Sequence, residues 1–230
     1  MNDEVRNLEQ RYIKRDLVNT EGQWSPLAPY TMYLRQERQR AIMTYLRHYV
    51  QGEVGGLYCT EVGCGTGDNL VEFISLGFSP ERLTGIELLP SRAAIASHRV
   101  PASVNLHVGD ALGCVIADES QDLVYQSLVF TSILDADYQK DLADRMWRWL
   151  KPGGAVLWYD FIYNNPHNPD VRGVPMPRVR ELFPRGHITV RRITLAPPIG
   201  RLFSGHGLSA YMLLNLTPLL RTHLLCWIKK

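Results

Sequence analysis

The sequence predicts an α/β protein whose parallel β-sheet is covered by helices on both faces. Apolar runs of strand length alternate with helical segments along the middle of the chain. A glycine-rich turn joins the first of these strands to the helix that follows it. The composition, 45% hydrophobic and 21% charged over 230 residues, is that of a globular chain long enough for one domain with elaborations.

The individual strands and helices are predicted from the spacing of apolar residues and from the Gly and Pro residues that interrupt them. Strands are predicted at residues 57–62, 82–87, 104–108, 122–127, 155–159, 187–195 and 223–229. Helices are predicted at residues 31–50, 69–76, 90–98 and 137–150. Residues 161–187 are rich in Pro, Asn and Gly, which indicates a long loop with one short helix. The apolar segment 208–220, interrupted by Pro218, is interpreted as a core helix that packs on the final strands.

Several protein classes are disfavoured by the composition. No run of ~18 apolar residues is present, so a membrane-spanning helix is not expected. The polar, acidic start of the chain is unlike a secretory signal. The four cysteines lack a C-x-x-C spacing, which favours reduced thiols over disulfides or a zinc site. We therefore expect a cytoplasmic protein.

Charge is distributed unevenly along the chain. Residues 51–160 carry 15 acidic and 7 basic side chains, whereas residues 161–230 carry 10 basic and 2 acidic ones. A basic surface favours an anionic partner, such as a phosphorylated or carboxylated substrate or an anionic membrane. The alternative is that the basic segment neutralises the acidic one within the fold. Nucleic acid is not expected, because the basic residues are scattered arginines without interleaved aromatic side chains.

The glycine turn and two downstream acids indicate a nucleoside site. Residues 60–68 read TEVGCGTGD, and glycines here allow the backbone to approach a ligand closely. Glu87 ends the second strand, 22 residues after Gly65, where a carboxylate can accept both ribose hydroxyls. Asp110 follows the third strand and can meet an adenine amino group. Because the strands are parallel, these side chains are expected at one edge of the sheet.

Charge then discriminates between two nucleoside cofactors. A dinucleotide site needs G-x-G-x-x-G, but position 68, where the third small residue belongs, is Asp. Glu61 and Asp68 would repel a pyrophosphate but would attract the cationic sulfonium and ammonium groups of S-adenosylmethionine. The alternative is that the two acids serve only as a strand-end residue and a helix cap. The pattern favours S-adenosylmethionine bound in a negatively charged crevice.

These motifs resemble those of class I S-adenosylmethionine-dependent methyltransferases, in particular the group that includes the ubiquinone- and menaquinone-biosynthesis enzymes. The similarity covers about residues 57–160 and rests on EVGCGTG at 61–67, Glu87, GDA at 109–111 and LKPGG at 150–154. The resemblance implies a Rossmann-like, doubly wound, seven-stranded sheet whose last strand is antiparallel. We expect residues 1–50 to form an N-terminal helical cap or lid, 51–160 the cofactor-binding core, and 161–230 a substrate-side elaboration with the final strands.

The resemblance also implies which residues border the cofactor. Glu61 and Gly63 would border the methionine portion, and Gln126 and Ser127 would end the fourth strand beside the methyl group. The full predicted cofactor-binding set is Glu61, Gly63, Cys64, Gly65, Asp68, Asn69, Glu87, Leu88, Asp110, Ala111, Gln126 and Ser127.

The methyl acceptor is less well determined by the sequence. A hydroxyl acceptor needs a base, and Tyr159, Asp160 and His167 are the predicted catalytic residues, with His206 a further candidate. Residues 126–129 lack the Asn/Asp-Pro-Pro-aromatic pattern associated with amine methylation, and no acid ends the fourth strand, so no metal is expected.

We therefore predict O-methylation of a small molecule or of a glycan or lipid-linked precursor. N- or C-methylation, a nicotinamide-dependent oxidoreductase and a non-catalytic S-adenosylmethionine-binding subunit stay open. The basic and apolar segment after residue 161 is compatible with an anionic amphiphile or with peripheral contact to a membrane. The sequence indicates no oligomeric state.

Overall fold

A computed structural model describes residues 3–18, 25–166 and 168–230. The helices are α1 Asp3–Val18, α2 Pro29–Tyr49, α3 Asp68–Ser75, α4 Pro90–Arg99, α5 Ala136–Trp149, α6 Met176–Leu182, α7 Pro197–Ser204 and α8 Leu208–Asn215. The strands are β1 Cys59–Val62, β2 Leu83–Glu87, β3 Asn105–Val108, β4 Gln121–Ser127, β5 Leu150–Phe161, β6 His187–Leu195 and β7 Arg221–Lys229.

The seven strands form one sheet in the order β3-β2-β1-β4-β5-β7-β6. Strands β1 to β5 pair in parallel, and β7 is antiparallel to both β5 and β6. The predicted fold class, a doubly wound seven-stranded sheet with an antiparallel last strand, is confirmed. The strand order reverses between β1 and β4, and in such sheets ligands bind beyond the carboxyl ends of the strands at this reversal.

Alternate side chains of the central strands enter two separate apolar cores. In β4, Val124 packs into one core and Leu123 and Tyr125 pack into the other. In β5, Val156 and Leu157 divide in the same way. These side chains are at most 1% exposed, because helices cover both faces of a mostly parallel sheet. The two cores fix the sheet and hold its carboxyl edge rigid.

Helix α8 packs on the final strands as predicted, because Tyr211 shares an apolar cluster with Leu195 of β6, but the interpretation of residues 208–220 as a core helix is wrong for most of its leucines. Leu213 and Leu216 are each 69% exposed, and Leu219, in the short 3-10 turn that follows, is 79% exposed. The buried face instead carries Tyr211 and Asn215. The hydroxyl of Tyr211 and the amide of Asn215 donate hydrogen bonds to the carboxylate of Glu37 in α2, which turns the polar side of α8 inward.

Helices α1 and α7, which the sequence analysis did not predict individually, lie beside the edge of the sheet formed by the carboxyl ends of the strands. Helix α1 has Val5 and Leu8 in the core formed with α5, and α7 begins directly after β6. Within the described part of the chain, no helix combines the length and apolar character needed to cross a bilayer.

Candidate cofactor and acceptor site

The glycine turn between β1 and α3 is built from left-handed backbone conformations. Gly63, Gly65 and Gly67 have φ values of +69°, +57° and +83°. A Cβ on Gly67 would lie 3.4 Å from the Cβ of Ala96, so this glycine lets α4 pack closely. A Cβ on Gly65 would meet no atom within 4 Å, because this glycine borders open space. Gly65 therefore exposes its backbone to a cavity.

The first cavity has a volume of about 260 Å³ and lies at the ends of β1, β2, β3 and β4. Glu87 lines it, and its carboxylate accepts hydrogen bonds from the backbone N–H groups of Gly65 (2.8 Å) and Leu89 (2.9 Å). Asp110 also lines it, and its Oδ1 accepts hydrogen bonds from the N–H of Leu112 (2.9 Å) and the hydroxyl of Tyr138 (2.5 Å). These hydrogen bonds hold both carboxylates at the cavity edge.

Helix α1 covers the first cavity. Leu8, Tyr12 and Arg15 of this helix line the cavity wall. Within the helix, Arg11 and Glu4 form a largely buried ion pair (2.6 Å). The helix is anchored by two hydrogen bonds to the segment before α5: the N–H of Leu134 donates to Glu4 (2.8 Å), and Arg11 donates to the carbonyl of Ser132 (3.1 Å). The N-terminal segment is therefore part of the site.

The second cavity, about 680 Å³, lies on the other side of the glycine turn against α2 and α3. Its lining includes the basic residues Arg35, Arg38 and Arg92 and the acids Asp68 and Glu72. Four residues line both cavities, which are therefore adjacent at the turn: Gly63, Gly65, Arg92 and Leu128.

Arg38 links α2 to α3 and to the end of β4. Its guanidinium donates to Oδ1 of Asn69 (2.7 Å), to the carboxylate of Glu72 (3.2 Å) and to the hydroxyl of Ser127 (3.3 Å). Asn69 in turn donates to Oε1 of Glu61 (2.6 Å). Sequence reasoning missed Arg38, although a basic residue within the apolar stripe of α2 was the available signal.

Glu61 and Asp68 do not form the negative crevice that the sequence predicted. Glu61 is fully buried and lines neither cavity, and burial raises the pKa of its carboxyl to about 8. Burial also acts to raise the pKa of Asp68, but hydrogen bonds from Arg99 (2.6 Å) and Thr66 (3.0 Å) lower it overall. With Asp68 paired and three arginines in the second cavity, the site is of mixed charge.

Most of the predicted cofactor-binding residues lie together. The structure brings these to the cavity walls: Gly63, Cys64, Gly65, Asp68, Asn69, Glu87, Leu88, Asp110, Ala111 and Ser127. Glu61 and Gln126 line neither cavity and are fully buried beneath the site. The side-chain amide of Gln126 accepts a hydrogen bond from the N–H of Val129 (3.1 Å), which fixes the loop after β4. Their direct contact with a cofactor stays a prediction.

The predicted catalytic residues of β5 do not reach either cavity. Tyr159 is 2% exposed, and its hydroxyl forms a hydrogen bond with Thr194 (2.8 Å). Asp160 is fully buried and accepts a hydrogen bond from the N–H of Thr131 (3.2 Å), and burial raises its pKa to about 7. The geometry therefore argues against both as bases, because neighbouring segments cover the end of β5. His167 lies outside the described residues, and His206 is exposed and lines neither cavity.

Leu128 is a further site residue that the sequence did not reveal. It follows β4, lines both cavities and has a φ of +61°, a conformation that is uncommon for a residue with a side chain. Its N–H donates to the carbonyl of Tyr159 (2.9 Å), which holds the strained backbone in place.

A family profile matches this region of the chain. Residues 60–154 match the profile described as "Methyltransferase domain". A sterol 4-C-methyltransferase, strm-1 of Caenorhabditis elegans, is 28% identical over 120 residues, which are 50% of this chain and 34% of that protein. The chain thus spans about a third of the length of that curated relative.

Solved structures share the fold at low sequence identity. An S-adenosylmethionine-dependent methyltransferase from Mesorhizobium loti is 18% identical with a TM-score of 0.60, over 84% of this chain and 96% of that one. A geranyl diphosphate C-methyltransferase from Streptomyces coelicolor, solved with S-adenosyl-L-homocysteine, is 15% identical with a TM-score of 0.60, over 83% and 75% of the two chains.

Proposed function

We propose that this chain, a class I S-adenosylmethionine-dependent methyltransferase, methylates an oxygen atom of an anionic small molecule. The observation that carries the proposal is the cavity beside the glycine turn, whose wall contains Arg35 and Arg92 as well as Arg38, which already bonds to Asn69 and Glu72. Arginine binds carboxylates and phosphates through paired hydrogen bonds, so this lining favours an acceptor with such a group.

The residues present fit the cofactor. The open space at Gly65 admits a ligand against the backbone, and the lining carboxylate of Glu87 suits ribose hydroxyls. Asp110 suits the adenine amino group, and Oε2 of Glu61 is buried without a hydrogen-bond partner in the described structure. Asn69 and Arg38 would hold the polar end of the methionine portion. When bound, S-adenosylmethionine supplies a methyl group already activated on a sulfonium.

The second cavity has both polar and apolar walls for an acceptor. Leu34, Ile95 and Leu128 supply the apolar surface opposite the arginines. An organic acid with a hydrocarbon body matches this combination. The names of two similar proteins support an amphiphilic acceptor. One acts on a sterol, and the other was solved with geranyl-S-thiolodiphosphate.

A carboxylate oxygen is the acceptor atom that the lining favours. None of the described residues around the second cavity is His, Lys or Tyr. Its two acids are paired, Asp68 with Arg99 and Glu72 with Arg38. A hydroxyl acceptor needs a base, whereas a carboxylate is ionised at neutral pH and needs none. The chain would then contribute by positioning the acceptor and excluding water from it.

C-methylation is the second candidate. Both the curated relative and the Streptomyces structure are named as C-methyltransferases. An electron-rich double bond can attack the methyl group without prior removal of a proton, and the carbocation that forms then loses a proton to solvent, since both acids of the lining are paired.

The test uses methyl-labelled S-adenosylmethionine with a panel of amphiphilic carboxylic acids and their neutral amides. We expect labelling of acids but not of amides, and release of the label as methanol in mild base, which identifies a methyl ester. A base-stable product would exclude a methyl ester, and the NMR shift of the transferred methyl carbon would then distinguish a C-methyl group from a methyl ether or an N-methyl group. Equal labelling of acids and amides would contradict the anionic acceptor, and no transfer to any acceptor would favour a non-catalytic subunit.

Variants connect the result to the cavity. Arg35→Gln and Arg92→Gln should raise the KM for the acid by about tenfold or more, because each removes a charge-assisted hydrogen-bond donor. In Arg35→Gln the affinity for S-adenosylhomocysteine should change much less. Arg92 also lines the first cavity, so in Arg92→Gln the effect on KM should exceed a smaller loss of S-adenosylhomocysteine affinity. Arg47→Gln is the matched control, because Arg47 lies on the exposed face of α2 and lines neither cavity.

A further inference from the structure

Helix α8 presents its apolar face to solvent. Its exposed residues Leu208, Met212, Leu213 and Leu216 follow helical spacing, and each is 43–69% exposed. Its buried face carries Tyr211 and Asn215, which bond to Glu37. In an ordinary surface helix polar residues face water, whereas α8 buries Tyr211 in an apolar cluster and leaves most of its other apolar side chains exposed.

The exposed leucines extend beyond α8. Leu202 of α7 is 67% exposed, and Leu219 after α8 is 79% exposed. We refer to Leu202, Leu208, Leu213, Leu216 and Leu219 as the α7–α8 leucine patch. Scattered single apolar residues on a surface are normal, but a cluster on consecutive elements marks an interaction site.

The rim of this patch is positively charged. Residues 182–230 contain no Asp or Glu. Arg221 donates from Nε to the carbonyl of Asn215 at the end of α8 (2.7 Å), so it adjoins the patch directly. Arg221, Arg191 and Arg192 line a third cavity of about 470 Å³ together with Arg40. Glu37 is the one acid in that lining, and Tyr211 and Asn215 already donate to its two oxygens.

We propose that the α7–α8 leucine patch and the adjoining arginines dock this protein on the surface of an anionic lipid bilayer. Leucines on one helix face can enter the boundary between headgroups and acyl chains, while arginines bind lipid phosphates. Charge complementarity favours this occupant over a second copy of the chain. A symmetric dimer through the patch would bring together two arginine-rich surfaces whose lining acid, Glu37, is already hydrogen-bonded, and like charges oppose such a contact.

The patch lies on the side of the sheet that holds the cavities. Helix α7 begins directly after the carboxyl end of β6, and α8 packs on α2 through Glu37. The next residue, Arg38, lines the second cavity. Docking through the patch would therefore bring the second cavity close to the bilayer, whatever the acceptor atom is.

Vesicle sedimentation tests the docking surface with the full chain. Vesicles of phosphatidylcholine alone are compared with equal mixtures of phosphatidylcholine and phosphatidylglycerol. We expect binding to the anionic vesicles only, and weaker binding when salt is raised from about 0.1 M to about 1 M. The double variant Leu216→Glu/Leu219→Glu should reduce this binding by about 100-fold, because it removes inserted apolar surface and adds charge.

The matched control is Leu27→Glu/Val115→Glu, at residues that are 91% and 90% exposed outside the patch. It should bind like the parent chain. If the double variant fails to fold, the single variant Leu213→Ser replaces it. Its circular dichroism spectrum should match that of the parent, and it should also bind anionic vesicles more weakly than the parent. The proposal is overturned if the parent does not bind anionic vesicles or if the patch variants bind these vesicles as well as the control does. A dimer that the patch variants dissociate, without vesicle binding, would overturn it in favour of a second copy.

Discussion

The guanidinium of Arg38 lies 3.2 Å from the carboxylate of Glu72, and both side chains are at most 16% exposed. The pair joins α2 to α3 across the second cavity. Removing one member of a buried pair leaves the other charge without compensation, whereas removing both leaves none. The pair therefore offers a test of how α2 is held against α3 beside the second cavity.

Arg38→Met should lower the free energy of unfolding by about 3 kcal/mol, because it leaves Glu72 unpaired. The double variant Arg38→Met/Glu72→Met should recover stability to within ~1 kcal/mol of the parent but should not recover cofactor affinity. Urea unfolding and calorimetry with S-adenosylhomocysteine measure the two effects. Lys140→Met, in an exposed pair with Asp144, is the control and should change neither. Equal stability of parent and Arg38→Met would contradict this role.

Glu61 should make the protein less stable as pH rises. The pKa of this carboxyl is about 8 in the folded chain and 4.5 ordinarily, with burial as the main cause. Between those values the folded chain binds more protons than the unfolded chain, so the free energy of unfolding falls with pH. Asp160, whose pKa burial raises to about 7 from 3.8, acts in the same direction over a lower range.

Glu61→Gln should therefore flatten the pH dependence between pH 5 and 8. We expect the variant to gain about 3 kcal/mol relative to the parent across this window, as measured by urea unfolding at each pH. Glu53→Gln, at an exposed position, should leave the slope unchanged. A Glu61→Gln slope identical to that of the parent would show that this carboxyl ionises normally in the fold.

Tyr159→Phe should retain the parent kcat. The Tyr159 hydroxyl forms a hydrogen bond with Thr194 inside the fold and lines neither cavity. The free energy of unfolding should fall by about 1 kcal/mol, because Thr194 loses a buried partner. A large loss of kcat at unchanged KM would instead restore the prediction that this residue acts as a base.

Gly65→Ala should weaken cofactor binding without unfolding the protein. The new Cβ would enter the open space beside the turn, and the φ of +57° adds a strain of about 1 kcal/mol. We expect the affinity for S-adenosylhomocysteine to fall by about tenfold. Gly52→Ala is matched in strain, with a φ of +93° and open surroundings, but lies outside both cavities. Equal affinities of the two variants would place the cofactor away from Gly65.

The sequence alone was enough to predict the sheet and to locate the residues that line the first cavity at the ends of its strands, because the patterns that identify them are local. A glycine turn after a strand, and an acid at the end of each of the next two strands, occupy the same edge of any parallel sheet. Glu87 and Asp110 could therefore be found by spacing alone. Both line the first cavity.

Residues brought in by tertiary packing could not be predicted in this way. Arg38 and Tyr12 come from N-terminal helices whose placement depends on contacts with distant segments. Tyr159 has the expected position at the end of β5, but its surroundings bury it. In α8, Glu37 of another helix decides which face turns inward, and the local sequence of α8 carries no sign of that partner.

The central claim is that S-adenosylmethionine binds across the glycine turn with its ribose on Glu87. Calorimetry with S-adenosylhomocysteine on the parent, Glu87→Ala and the exposed control Glu81→Ala tests it most directly. We predict measurable binding to the parent and the control, and a loss of about 1–3 kcal/mol in Glu87→Ala through unpaired ribose hydroxyls. Absence of binding to the parent, or equal affinity in all three chains, would contradict the account.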